Sequence, residues 1–170
     1  MSSSGPRVDM ALLLAANQVG VRLEIVGGRP TWEAHPVMKH QEAVHRIQTS
    51  IEKNESASVN GCECLHLADV YICFPDGSLK RPDISIFCRR PDEEETAILL
   101  VPEAVIEVIS KGYEIKDLEI APHFYLMQGV KDVVVFDPYT EMIWHFRRNE
   151  TIRHVSPMMI ELECGCQCIV

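Results

Sequence analysis

Two carboxylates fall where a sheet has least room for charge. Residues 81–117 read RPDISIFCRRPDEEETAILLVPEAVIEVISKGYEIKD and hold two strand-like runs, 83–87 and 99–109. Asp83 opens the first run, in PDISIF, and Glu107 interrupts the second, in AVIEVIS. The second run is apolar almost throughout, which predicts a strand covered on both faces, and Pro102 places its true start after that residue. A carboxylate is costly to bury in such a strand unless it is paired or coordinates a metal. The chain must therefore build a two-sided sheet and supply partners for two acids within it.

Turn and helix signals divide the rest of the chain. Residues 8–17 predict a short helix, with Asp9 near its start. Residues 21–26 and 29–34 predict a hairpin around Gly27-Gly28, with Glu24 facing outward on an alternating strand. In residues 38–54, Val44, Ile47 and Ile51 recur at helical spacing. At ~1.5 Å per residue that helix would run about 25 Å, enough to cross one face of a sheet. His40 and His45 are five apart and do not share a face, so both are expected at the surface or as caps. Residues 56–67 carry no clear signal. Residues 69–74 and 79–87 predict a hairpin around Pro75-Asp76-Gly77, and the acidic run within 89–96 predicts a solvated loop tip. A helix from about residue 115 to Gln128 should stop at Gly129 and be kinked or delayed by Pro122. Residues 132–136 form a buried strand, 141–147 and 151–155 a closing hairpin, and 160–170 an edge strand. This order predicts an α/β fold, a central mixed β-sheet flanked by α-helices. We expect one domain over residues 1–170, with a ragged start at 1–8 and an edge strand or tail at 157–170.

Composition narrows the class. Apolar residues make up 46% of the 170 and charged residues 24%, so the chain is globular. No apolar run approaches the ~18 residues that span a bilayer, and the N-terminus lacks the marks of a signal peptide. A cytoplasmic protein with no membrane partner is expected. The net charge of −9 argues against binding a polyanion with the whole surface, while leaving room for a local basic groove. Seven cysteines, an odd number, predict reduced thiols. Cys73 and Cys88 are expected to pack as small apolar side chains. Cys164, Cys166 and Cys168 alternate, which would place all three on one strand face. A zinc or copper site there needs a second ligand group, and none appears at zinc-finger spacing; structural packing or a frayed end is the expectation.

Asp83 and Glu107 point to the chemistry. Phosphodiester hydrolysis needs an activated water and charge neutralisation at phosphate, and Mg²⁺ or Mn²⁺ supplies both. Mg²⁺ takes oxygen ligands and keeps several waters, so two carboxylates and a backbone carbonyl, most simply that of Val108, suffice. A nearby lysine would orient the water or stabilise developing charge. The structural alternatives are Asp83 as a turn cap after Pro82, and Glu107 paired with Arg81.

The order of these segments resembles the PD-(D/E)xK nucleases, and more closely the Uma-type restriction endonucleases. LEIVGG at 23–28, His40-Gln41, PDGSLKRPDISIF at 75–87, PEAVIEVIS at 102–110 and IKDLEIAPHFYLMQGVKDVVVFDP at 115–138 are similar to that family's motifs, in the same order. The resemblance implies a restriction-endonuclease-like fold, DNA as substrate, and Asp83 and Glu107 as metal ligands, with Glu24 as a supporting acid. It also exposes a departure. The superfamily's lysine position is Ile109, and the Uma-type lysine position, four residues after Asp117, is Ala121. Lys111 and Lys116 are the nearby substitutes. Lys80, Arg81, Arg89 and Arg90 are candidate phosphate contacts, and cutting two strands favours a homodimer. The rival reading is a catalytically silent nuclease fold that binds DNA or protein.

Overall fold

The computed structural model describes residues 10–33, 35–56, 61–92 and 96–170. The expected helix start at Val8, the ragged segment 1–8, Ala34 at the end of the first hairpin, Asn60 and the acidic residues 93–95 lie outside the described residues.

The elements follow in chain order: α1 (Met10–Gln18), β1 (Leu23–Val26), β2 (Arg29–Trp32), α2 (Met38–Thr49), β3 (Glu52–Lys53), β4 (Leu65–Ala68), β5 (Ile72–Cys73), β6 (Leu79–Lys80), β7 (Ile84–Phe87) and β8 (Ala104–Val108). A π-helical turn, Lys116–Ile120, leads into α3 (Ala121–Met127). Then come β9 (Asp132–Asp137), β10 (Met142–Arg147), β11 (Glu150–Val155), β12 (Met159–Glu161) and β13 (Cys166–Ile169). The central sheet has the order β11-β10-β9-β8-β7-β4, and only β8 and β9 run parallel. A four-stranded sheet, β2-β1-β6-β5, and a three-stranded sheet, β12-β13-β3, flank it.

The apolar run resolves into two faces. Ala104, Ile106 and Val108 of β8 join Ile84, Ile86, Val134 and Phe136 in a core closed by Ala43, Val44 and Ile47 of α2 and by the C-terminal segment. Val105 and Ile109 look the other way, with Val133 and Val135, onto Ala121 and Tyr125 of α3. Each fully buried Val or Ile contributes on the order of 1.5–3 kcal/mol, so both faces hold the sheet between its helices. The predicted mixed sheet flanked by helices is what the chain builds.

Two expectations change, and a third resolves between its alternatives. The run 79–87 is two strands, because Pro82 cannot donate to a ladder: β6 pairs with β1 and β5, whereas β7 pairs with β4 and β8. Pro122 delays its helix, one of its two expected effects, and does not kink it: α3 begins at Ala121. It follows a wide turn in which the Ala121 N–H reaches the Lys116 carbonyl, so the ring sits where i→i−4 bonding has already lapsed. Four of the seven cysteines, Cys88 among them, do not stay as separate thiols, whereas Cys73, Cys164 and Cys168 do. Cys62 is joined to Cys88 and Cys64 to Cys166, and the tail forms its own sheet rather than an edge of the central one.

Candidate active site

The ladder brings the two acids together. β7 runs antiparallel to β8, with Ile84 opposite Ile106, so Asp83 at the start of one strand meets Glu107 near the end of the other. The Asp83 N–H donates to Glu107 Oε2 at 3.2 Å, and the Val108 N–H donates to Asp83 Oδ2 at 2.8 Å. Tyr125 of α3 donates its hydroxyl to Glu107 Oε1 at 2.6 Å. Both acids line one small pocket of about 30 Å³ together with Arg22, His40, Val108, Lys116 and Asp117. That volume holds roughly one or two waters.

Charge in this pocket is poorly compensated. Burial, and then the neighbouring Asp83 carboxylate, push Glu107 well above the usual carboxylate range. Asp117, whose Oδ2 accepts the Ser110 N–H at 3.4 Å, is pushed up to about 6, chiefly by burial and further by Asp83. Burial and the Glu107 charge push the Tyr125 phenol upward too. His40 carries its imidazole Nε2 to 3.2 Å from Asp83 Oδ2. Burial would lower the His40 pKa, but the Asp83 bond and charge outweigh it and raise it. The buried Nδ1 of His40 has no protein partner.

The oxygen donors fit a hard divalent cation. Asp83 and Glu107 supply carboxylates, and a positive ion between them would offset the burial, and then the Asp83 charge, that raise Glu107. Among the described residues no third carboxylate closes a compact cage with them. A site of that kind leaves positions for water and phosphate.

Other nominated residues fall into place around the pocket or leave it. Glu24 is buried at 1% exposure, not outward-facing. Its Oε2 accepts Lys80 Nζ at 3.0 Å and lies 3.5 Å from Lys116 Nζ, and its Oε1 accepts the Arg81 N–H at 2.7 Å. Burial would raise Glu24, but the two ammonium charges outweigh it and lower its pKa. Lys80 is itself buried, beside Glu24 and over the rings of Phe124 and Tyr125, and is closed to phosphate. Arg81 lines the pocket but pairs with Asp69, Nε to Oδ1 at 2.7 Å and Nη2 to Oδ2 at 2.9 Å, so it is not the partner of Glu107. Lys116 lines the pocket and also pairs with Glu33. Lys111, Arg89 and Arg90 are exposed and do not line it.

The sequence reading missed His40, Asp117, Tyr125 and the interior position of Lys80. A signal existed for His40: it precedes Val44 by four and Ile47 by seven, so it shares their buried stripe. Asp117 and Tyr125 lie eight apart, and only the fold aims them at one pocket.

A two-sided mixed sheet with an acid-lined pocket at the carboxyl ends of its parallel strands is the architecture of the restriction-endonuclease-like proteins. The chain matches the Uma2 family, described as "Putative restriction endonuclease", over residues 9–163, and it belongs to that family. A solved structure described as a putative nuclease belonging to DUF820 from Anabaena variabilis ATCC 29413 superposes with a TM-score of 0.63 at 22% identity, over 83% of this chain and 81% of that one. That likeness shows the shared fold. Among curated proteins no match is found.

Proposed function

We propose that this protein is a metal-dependent endonuclease that hydrolyses DNA phosphodiester bonds, with Asp83, Glu107 and the Val108 carbonyl holding Mg²⁺ or Mn²⁺. The observation that carries the reading is the Asp83–Glu107 contact: the Asp83 N–H holds Glu107 Oε2 at a pocket where burial, and then the Asp83 charge, raise Glu107. A divalent cation there would polarise a phosphate oxygen and lower the pKa of a bound water. Tyr125 and the Val108 N–H fix the two carboxylates in orientation. His40, bonded to Asp83, holds a proton at Nε2 beside the same carboxylate.

Lys116 is the cation we assign to the place of the absent lysine. Ala121, the first residue of α3, is buried against the sheet, and its N–H reaches back to the Lys116 carbonyl across the π-turn. An i→i+5 bond sets Lys116 one wide turn before Ala121, close to the same face. A pocket-lining ammonium is thus recovered one turn earlier, with Glu24 and Glu33 steadying it. Arg22 at the pocket is the basic group that would meet DNA phosphate. The acidic whole fits a site that grips its substrate locally, and we place the protein in the cytoplasm, as a single domain acting as a homodimer on double-stranded substrate.

Plasmid cleavage in Mg²⁺ or Mn²⁺ tests the reading, with wild type compared to Asp83→Ala, Glu107→Ala and Lys116→Ala. Metal-dependent nicking or linearisation by wild type, lost in the first two variants, is expected. Cutting that survives both would overturn the site. No cutting, together with no divalent-metal binding by calorimetry, would favour the rival reading, a silent nuclease fold that binds DNA or protein; Ile109 and Ala121 at the usual lysine positions are what speak for it.

A further inference from the structure

The cysteines gather at the opposite end of β7 from Asp83. Cys62 and Cys64 precede β4, Cys88 follows β7, and Cys164 and Cys166 flank the turn into β13. The sulfurs of Cys62, Cys164 and Cys166 all lie within 4.8 Å of one another. Cys88 is disulfide-bonded to Cys62, and Cys64 to Cys166. The second ligand group that the CxCxC tail lacks in sequence is therefore supplied in space, from the Cys62–Cys64 segment, 102 residues upstream from Cys64 to Cys166, and from Cys88, which lies nearer.

We propose that, once a dithiol reductant has delivered the four electrons and four protons that open the Cys62–Cys88 and Cys64–Cys166 disulfides, this cluster is a structural zinc site, with Cys62, Cys164 and Cys166 as thiolate ligands and Cys64 or Cys88 completing a tetrahedral shell, the ligand thiols releasing their protons as the metal binds. Three observations carry it beyond a pair of disulfides. The sulfurs of Cys62 and Cys166, which belong to different pairs, lie 3.6 Å apart. Four thiolates around zinc at ~2.3 Å stand about 3.8 Å from each other, so that spacing is the edge of a zinc tetrahedron. Cys164 joins the cluster although no disulfide uses it. Finally, both contributing segments are short C-x-C turns that bend through left-handed residues: Gly61 (φ 62°) and Cys64 (φ 50°) in one, Gly165 (φ 93°) in the other. The second turn is closed by the Leu162 N–H to the Cys166 carbonyl at 2.8 Å and the Gly165 N–H to the Leu162 carbonyl at 3.0 Å.

The site would fasten the three-stranded sheet to the central one. Cys166 pairs with Lys53 of β3, and the cluster sits in the core shared by β7, β8 and α2. Metal bound there stabilises the fold directly, because the unfolded chain holds no preformed site. A four-residue strand at ~3.3 Å per residue puts about 13 Å between this cluster and Asp83, so the two sites are separately testable.

The test is metal content of the full chain, purified under reductant without chelator from zinc-supplemented cells, read by plasma mass spectrometry and native mass spectrometry. One zinc per chain is expected, with Co²⁺ substitution giving thiolate-to-cobalt charge transfer and tetrahedral ligand-field bands. Cys164→Ser decides between the readings: it should lose zinc and lower the melting temperature, whereas a disulfide pair would not notice it. Zinc retained in full by Cys164→Ser overturns the ligand set. Protein without zinc, whether its intact mass shows all thiols free or lacks the four hydrogens of two disulfides, overturns the site.

Discussion

Two buried carboxylate clusters face opposite ends of β9, and they are built on opposite principles. Asp132, at the start of the strand, is fully enclosed and fully answered: His145 Nε2 lies 2.6 Å from its Oδ1, Arg147 Nε donates at 2.7 Å, and the Glu163 N–H donates to Oδ2 at 2.8 Å. Burial would raise this acid, but those bonds outweigh it and lower its pKa. The pocket at the other end holds Asp83, Glu107 and Asp117 with fewer opposing charges, and there Glu107 and Asp117 are raised. Burial alone does not mark function. An acid whose partners are all present is architecture, and a set of buried acids with raised pKa values in a pocket is a candidate for function.

The sharpest way to break this comparison is Asp132→Ala. Removing one member of a satisfied buried network leaves His145 and Arg147 uncompensated, and a loss of about 3–5 kcal/mol is expected in denaturant melts. Metal binding at the pocket should persist in whatever remains folded. Glu107→Gln should do the reverse. Cleavage rate is expected to fall by about 10²–10³, with no loss of thermal stability at neutral pH, because the substitution removes a charge the fold does not favour. A drop in melting temperature as large as that of Asp132→Ala would erase the distinction.

The pH dependence separates the clusters more finely. Glu107 and Asp117 have folded pKa values above their unfolded ones, so their contribution to stability is complete below the unfolded value, 3.8 for Asp117, and is lost as pH rises through about 6. Asp132, lowered, contributes above its unfolded value and loses that contribution as pH falls through the folded one. In chelator, melting temperature should therefore decline as pH rises from 5 to 8, and Mg²⁺ should restore more of it at pH 8 than at pH 5, because the cation favours the ionised acids. Asp117→Asn should gain about 1–2 kcal/mol at pH 8 without metal. An equal Mg²⁺ effect at both pH values would show that the cation does not sit with these acids. The smallest effect expected is that of Lys111→Ala, within about 0.5 kcal/mol in stability and without change in cleavage, since Lys111 is exposed and outside the pocket.

The sheet was legible because its signals are local. The apolar runs of β8 and β9, the Gly27-Gly28 turn and the stripe of Val44 and Ile47 each declare themselves within a dozen residues. Glu24 misled because β1 is only four residues long and is covered on both faces, so polar-apolar alternation carries no information there. Lys80 misled for a related reason: basic residues near a turn read as solvated, and only the docking of β6 beside β1 buries its ammonium against Glu24. The cysteine cluster was illegible in principle. Its members are separated by up to about a hundred positions, and no pattern within either C-x-C segment names the other. The acid pair was visible as an anomaly, whereas its company, His40, Asp117 and Tyr125, comes from three helical turns that the fold alone brings together.

The strict alternation of β8 has a consequence for how such a chain can change in length. Val105, Glu107 and Ile109 face α3, and Ala104, Ile106 and Val108 face α2. One residue inserted between Pro102 and Glu107 must bulge out or turn Glu107 to the α2 side, away from Tyr125 and the Asp83 N–H. Two residues would restore the side but carry the carboxylate about 6.6 Å along the strand, past its partner. The spacing of this segment is therefore constrained as tightly as its chemistry: many substitutions fit within it, but no change in its count does.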